Sequence, residues 1–252
     1  AEADGMRSLL VELLVTNPRL IELLLKTCDA SRQASSLLIR RPQLLEDVTA
    51  PGVLDRSVSV ERHLAALRAS GATRAQLNPV RAYRQMQSLR ILVRDALGLI
   101  DLSALHREHS ALAEACLIFV HSLLAPEDDL TIIGLGKFGG RDLSYGADLD
   151  VLFVGENTRA AQEILVEMRK ATGEGAIATL DARLRPDGEK GSLTSPAAPY
   201  AAYYETRAQL WEIQSLTRAR VICGPEGNAF LELTQPRWRA AGLRLGAVEQ
   251  AH

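Results

Sequence analysis

Residues 130–154, LTIIGLGKFGGRDLSYGADLDVLFV, constrain this chain more than any other stretch. An apolar run enters a glycine-rich turn holding Gly134, Gly136, Lys137, Gly139 and Gly140. Asp148, Leu149 and Asp150 then open a second apolar run, residues 151–154. Apolar runs of this length bounded by glycines read as buried strands. Side chains alternate across a strand, so Asp148 and Asp150 share one face and Leu149 takes the other. Two carboxylates about 7 Å apart on one strand face repel each other unless a cation lies between them. Magnesium, a hard cation that takes oxygen ligands, is the ion such a pair suits.

Two other motifs overlap this stretch and fail. Gly134, Gly136 and Gly139 satisfy the spacing of a dinucleotide-binding turn, but that turn needs a long helix and an acid at the far end of the next strand. Here the acids stand at the start of the strand, and Gly146 interrupts a short connection. A Walker loop would need Ser or Thr after Lys137, where Phe138 stands. A glycine hairpin with two solvated aspartates is the structural alternative.

The rest of the chain divides in two. Residues 6–124 read as helices: Leu9, Leu10, Leu13 and Leu14 form a stripe, and Asn17-Pro18 starts a new helix to about residue 26. Further helices are expected over 43–48, 59–69 and 79–97, with a last one capped by Ser103. His106, Glu108 and His109 have helical spacing but no further ligands nearby, so they read as a solvated face. Arg81, Arg84, Arg90 and Arg94 read as surface or interdomain charges. The boundary falls at residues 126–129, giving a helical bundle over 1–125 and a catalytic domain over 126–252.

In the second half, a Thr158-capped helix to about residue 171 precedes a third strand over 176–184. Alternation puts Thr179, Asp181, Arg183 and Arg185 on one face of it, where Asp181 can lie beside Asp148 and Asp150 if the strands are neighbours. Residues 197–221 read as one helix whose tyrosines, Tyr200, Tyr203 and Tyr204, belong to the core rather than to a base-stacking surface. The fold class is α+β, a small mixed sheet flanked by helices.

Net charge argues against a nucleic-acid grip. It is −2 overall, and residues 126–252 hold 14 Lys and Arg against 18 Asp and Glu. Three scattered cysteines without a CxxC pair, and no apolar stretch of membrane length, point to the cytoplasm.

A glycine turn, a paired aspartate at a strand start and a third acid on a neighbouring strand form the layout of a nucleotidyltransferase. In that chemistry Asp148 and Asp150 hold two magnesium ions, Asp181 completes one of the two metal sites, ATP supplies the nucleotide, and the Gly139 and Gly140 amides with Lys137 take the β- and γ-phosphates. Arg183 and Arg185 add guanidinium heads for phosphate oxygens. The segments GLGKFGGRDLSYGADLD, DARLRPDGEKGSL and LWEIQSLTRARVICG closely resemble the glutamate–ammonia ligase (glutamine synthetase) adenylyltransferase and adenylyl-removing family. SSLLIRRPQLLEDV and RDALGLIDLSALHREHSALAEA resemble the segment preceding that family's catalytic domain.

The resemblance implies a polymerase-β-like catalytic domain with Asp148 and Asp150 as the metal pair, Asp181 as third acid and Gly139-Gly140 as phosphate turn. It implies glutamine synthetase as protein substrate, and a PII-type nitrogen signalling protein acting through parts outside this chain. Family members join two units, one attaching AMP to a tyrosine and one removing it by phosphorolysis. YGADLD and DARLRPDG resemble the attaching unit, whereas Tyr203-Tyr204 resembles the removing one. This chain holds one unit's worth of residues and is expected to be a piece of a longer protein. A small-molecule acceptor and a catalytically silent regulatory copy are the remaining alternatives.

Overall fold

In the computed structural model, described residues are 18–126, 130–236 and 239. The leucine stripe at Leu9–Leu14 and the Asn17 cap therefore lie outside the described residues, as does most of the expected boundary.

The first half is helical among the described residues: α1 (Pro18–Ala30), α2 (Arg32–Arg40), α3 (Gln43–Thr49), α4 (Val60–Ala69), α5 (Asn78–Ala96) and α6 (Leu102–Leu124). Short oxygen-bearing side chains start three of them. Ser31 accepts from the Ala34 amide, Ser59 from Arg62 and Asp101 from Ala104, each satisfying one orphan donor of a first turn. Asp101, not Ser103, is thus the cap of α6. Helix α2 was not separated from its neighbours in the sequence.

The second half carries β1 (Thr131–Gly134), the single turn α7 (Gly136–Gly139), β2 (Leu149–Val154), α8 (Thr158–Arg169), β3 (Leu180–Asp181), β4 (Thr194–Ser195), α9 (Ala197–Thr206), α10 (Leu210–Ser215) and β5 (Arg220–Cys223). Residues 227–236 are helical. The sheet runs β3-β2-β1-β5, with β4 also on β2. It is mixed: β1 is antiparallel to β2 and β5, while β3 and β4 run parallel to β2. The expected long third strand shrinks to two residues. The expected helix over 197–221 breaks into α9, α10 and strand β5, with Arg207 capping the end of α9. Asn157 caps α8, leaving the Thr158 hydroxyl to bond Thr194 across the sheet edge (2.6 Å).

Alternation gives the sheet two buried faces. Ile132, Val151 and Phe153 pack with Leu112 and Val120 of α6 and Ile164 and Met168 of α8. Ile133, Leu152 and Val154 pack on Tyr200, Tyr203, Tyr204 and Phe230, so these tyrosines are core residues as expected. Leu89 and Val93 of α5 bury a separate cluster with α1, α2 and α3. No helix among the described residues is long and apolar enough to cross a membrane.

Glu108 and His109, expected on a solvated face, are interior with Arg90 and Arg94, whereas Arg81 makes a contact between the two halves, one of its two expectations. Glu108 is 2% exposed and pairs with Arg90 (2.5 Å) and Arg94, while Ser57 donates to it (3.0 Å). His109 is buried against the Tyr145 ring. Arg81 reaches across to α8, donating to the Glu167 carbonyl and carboxylate (2.9 Å each) and the Lys170 carbonyl (3.1 Å).

Candidate active site

The glycine turn is built by close approach. Leu135 donates its amide to the Asp150 carbonyl (2.8 Å), seating the turn on β2. Gly136 has φ +52°, and any Cβ there would run into Asp150 Oδ2. A Cβ on Gly139 would collide with the backbone carbonyls of Arg218 and Gly134. The amides expected to cradle phosphates are engaged within the turn, Gly139 to Leu135 O (2.7 Å) and Gly140 to Gly136 O (3.1 Å). These two glycines stand at the end of a helical turn, where amides point back along the chain, not at its start. Close approach of backbone explains the glycine at 139, whereas a Cβ at 140 would meet only the Arg218 and Asp142 side chains.

Arg220 fixes the far end of the turn. It donates to the carbonyls of Gly139 (3.1 Å) and Phe138 (3.4 Å) and to Glu114 of α6 (2.6 Å). Nothing in a single sequence marked it, because β5 itself read as helix.

The strands of Asp150 and Asp181 are neighbours, the condition on which the expected grouping rested. Asp150 lies in register with Asp181 on the parallel neighbour, and Asp148, just before β2, is close enough to act on Asp150. Burial holds the Asp150 carboxyl above its ordinary range, reinforced by Asp181 and then Asp148, and opposed by Arg183 and Lys137. Asp181 is held below its range, chiefly by Arg183. Arg183 Nη2 lies 2.5 Å from Asp181 Oδ2, its Nε lies 3.0 Å from both oxygens, and the Arg183 amide adds a bond to Oδ1 (2.9 Å). Arg183 is thus the partner of Asp181.

A groove of about 630 Å³ opens beside these acids, lined by Asp148, Asp181, Arg183, Gln162, Arg169 and Glu189 among others. Arg185 also lines it, but its guanidinium donates to the carbonyls of Ala182 (2.7 Å), Glu189 (3.2 Å) and Gly191 (3.3 Å). It ties down the loop after β3. Exposed Arg169 was missed. Gln162, Val166 and Arg169 recur at helical spacing on α8, which is the signal that could have found it. Lys137 is exposed and close enough to act on Asp150.

Does this donor set fit a divalent cation? Among the described residues, no group of three or more His, Cys, Asp or Glu is drawn together closely enough to hold a metal. The chemistry nevertheless suits a hard ion. Asp150 and Asp181 stand in register, Asp148 acts on Asp150, and Gly136 keeps space open against Asp150. Arg183 holds Asp181 in an ion pair that competes with a cation for its oxygens. Arg183→Gln is therefore expected to raise magnesium affinity a few-fold in the nucleotide-free protein, read by titration calorimetry. Unchanged affinity would exclude Asp181 as a ligand.

Comparison with known proteins follows this geometry. A family model described as glutamate-ammonia ligase adenylyltransferase matches residues 21–232. Curated relatives carry the name bifunctional glutamine synthetase adenylyltransferase/adenylyl-removing enzyme. The Chromobacterium violaceum protein is 30% identical over 90% of this chain, and the Neisseria meningitidis serogroup A protein 31% over 88%. The Mycobacterium tuberculosis protein is 31% identical over 99% of the chain. The chain spans only 27% or 28% of the length of these relatives.

Proposed function

The chain belongs to the glutamate-ammonia ligase adenylyltransferase family, and on that premise we propose that it moves AMP from ATP to a tyrosine of glutamine synthetase. The reading takes residues 126–252 as a polymerase-β-like catalytic domain and residues 1–125 as a helical bundle behind it. What supports it most is the placement of Asp150 beside Asp181 on parallel strands, with Asp148 close enough to act on Asp150.

Magnesium bound by Asp148 and Asp150, with Asp181 released from Arg183, would supply positive charge to the triphosphate. Lys137, beside Asp150, neutralises phosphate oxygens from the glycine turn, and Arg169 does so from α8. The tyrosine oxygen attacks the α-phosphorus while an Asp181 oxygen accepts the hydroxyl proton. The bond to pyrophosphate breaks, and pyrophosphate leaves with that bond's electrons. The unit works in the cytoplasm, and a PII-type signalling protein regulates it through parts of the longer protein.

Intact-mass measurement tests the direction. Unmodified glutamine synthetase with magnesium and ATP is expected to gain AMP. Loss of AMP from the modified enzyme with phosphate, without gain in the first tube, would reassign the chain to removal. No change in either tube, with ATP binding intact, would sink the reading.

A further inference from the structure

A second cavity, about 660 Å³, lies where α2, α5 and the chain entering β3 meet. Its volume suits a small organic ligand. Three guanidiniums line it, Arg32 and Arg40 from α2 and Arg84 from α5. Arg32 and Arg40 are exposed at the rim. Arg84 is half-buried, and its Nε is fully enclosed with no hydrogen-bond partner. Among the described residues no carboxylate pairs with it. Two neighbours are pushed down to about 4, His63 by burial, then Arg90 and Arg84, and His109 by burial, then Arg84 and His106. The Gln85 side-chain oxygen, lining the same cavity, is also enclosed and unpartnered. Glu174 at the edge is taken by Arg41. A guanidinium whose Nε is cut off from solvent and unbonded, with no carboxylate partner among the described residues, gains from an anion that completes it.

We propose that this cavity binds a small organic anion, a phosphate or a carboxylate, held from within by Arg84 and closed over by Arg32 and Arg40. The inference does not depend on the reading of the groove. Its position gives it a way to influence the acids. Tyr145, which lines the cavity and donates to Asp95 (2.9 Å), stands three residues before Asp148. Ile177, on the opposite wall, stands four residues before Asp181. Occupancy therefore bears on both loops that carry the acids.

Titration calorimetry of the whole chain, with orthophosphate and with succinate at constant ionic strength, separates the two anion classes. At least one is expected to bind. Arg84→Met should weaken that binding by about tenfold or more, the effect of losing a charge-assisted contact. Arg169→Ala, in the groove, should leave it unchanged. If Arg84→Met fails to fold, Arg40→Gln at the exposed rim is expected to weaken binding a few-fold. Equal affinity in Arg84→Met and Arg40→Gln would overturn the proposal. So would loss of binding in Arg169→Ala, or absence of heat with either anion at about 10 mM.

Discussion

Asp148→Asn and Asp150→Asn are each expected to lower AMP transfer by on the order of 10³-fold, while the melting temperature without magnesium stays level or rises. The two effects have one cause. Asp150 is crowded by burial, by Asp181 and by Asp148, and these hold its carboxyl above the ordinary range. An acid whose folded pKa lies above its unfolded value opposes folding once pH exceeds that interval. At neutral pH its charge therefore works against the cation-free fold, and the neutral amide removes that opposition. The same charge is what a divalent cation needs. Differential scanning calorimetry with and without magnesium separates the contributions, because magnesium should raise the melting temperature of the parent chain and not of the variants. A marked loss of cation-free stability in both variants would mean that these side chains hold the sheet together.

The largest stability effect is expected at a different acid. Glu108→Gln should destabilise the chain by about 3–5 kcal/mol, since it strands two interior cations. Arg90 and Arg94 both face this one carboxylate. Arg90 also donates to Gln87 (2.8 Å) and the Arg56 carbonyl (3.1 Å), and Arg94 to the Leu54 carbonyl (3.0 Å). The cluster thereby staples the irregular segment between α3 and α4 onto α5 and α6. Urea unfolding measures the loss. A cost under about 1 kcal/mol would mean that the backbone carbonyls alone satisfy the two guanidiniums.

What could be read from the sequence was periodic. The two apolar runs, the glycine turn between them and the shared face expected for Asp148 and Asp150 were legible in the sequence, whereas the pairing that sets Asp181 beside Asp150 is supplied by the fold. The unread parts depended on contacts distant in the chain. Arg81, Arg90 and Arg94 look like surface charges until α8, Glu108 and the 54–56 carbonyls surround them. Why residue 139 is a glycine is visible only in the fold, where the Arg218 carbonyl stands in the place of its Cβ. Strand β5 was hidden because it opens on Arg220, two residues after Arg218, in a stretch with helical composition. Arg185 aligned with Asp181 only while the strand was taken to run to residue 184, and the chain turns directly after Asp181.

The pairing of β1 with β5 sets the order in which this domain can be made. Ile132 and Cys223 are partners 91 residues apart. A ribosome delivers β1 and β2 long before β5, so the hairpin leaves the exit tunnel with one edge of an almost wholly apolar strand unfilled. Helix α6, already synthesised, can cover one face of that hairpin during the wait. The other face, later buried by Tyr200, Tyr204 and Phe230, has nothing to cover it until the last third of the chain appears. Slow elongation between residues 154 and 223 should therefore favour aggregation during synthesis, whereas refolding of the finished chain escapes that interval.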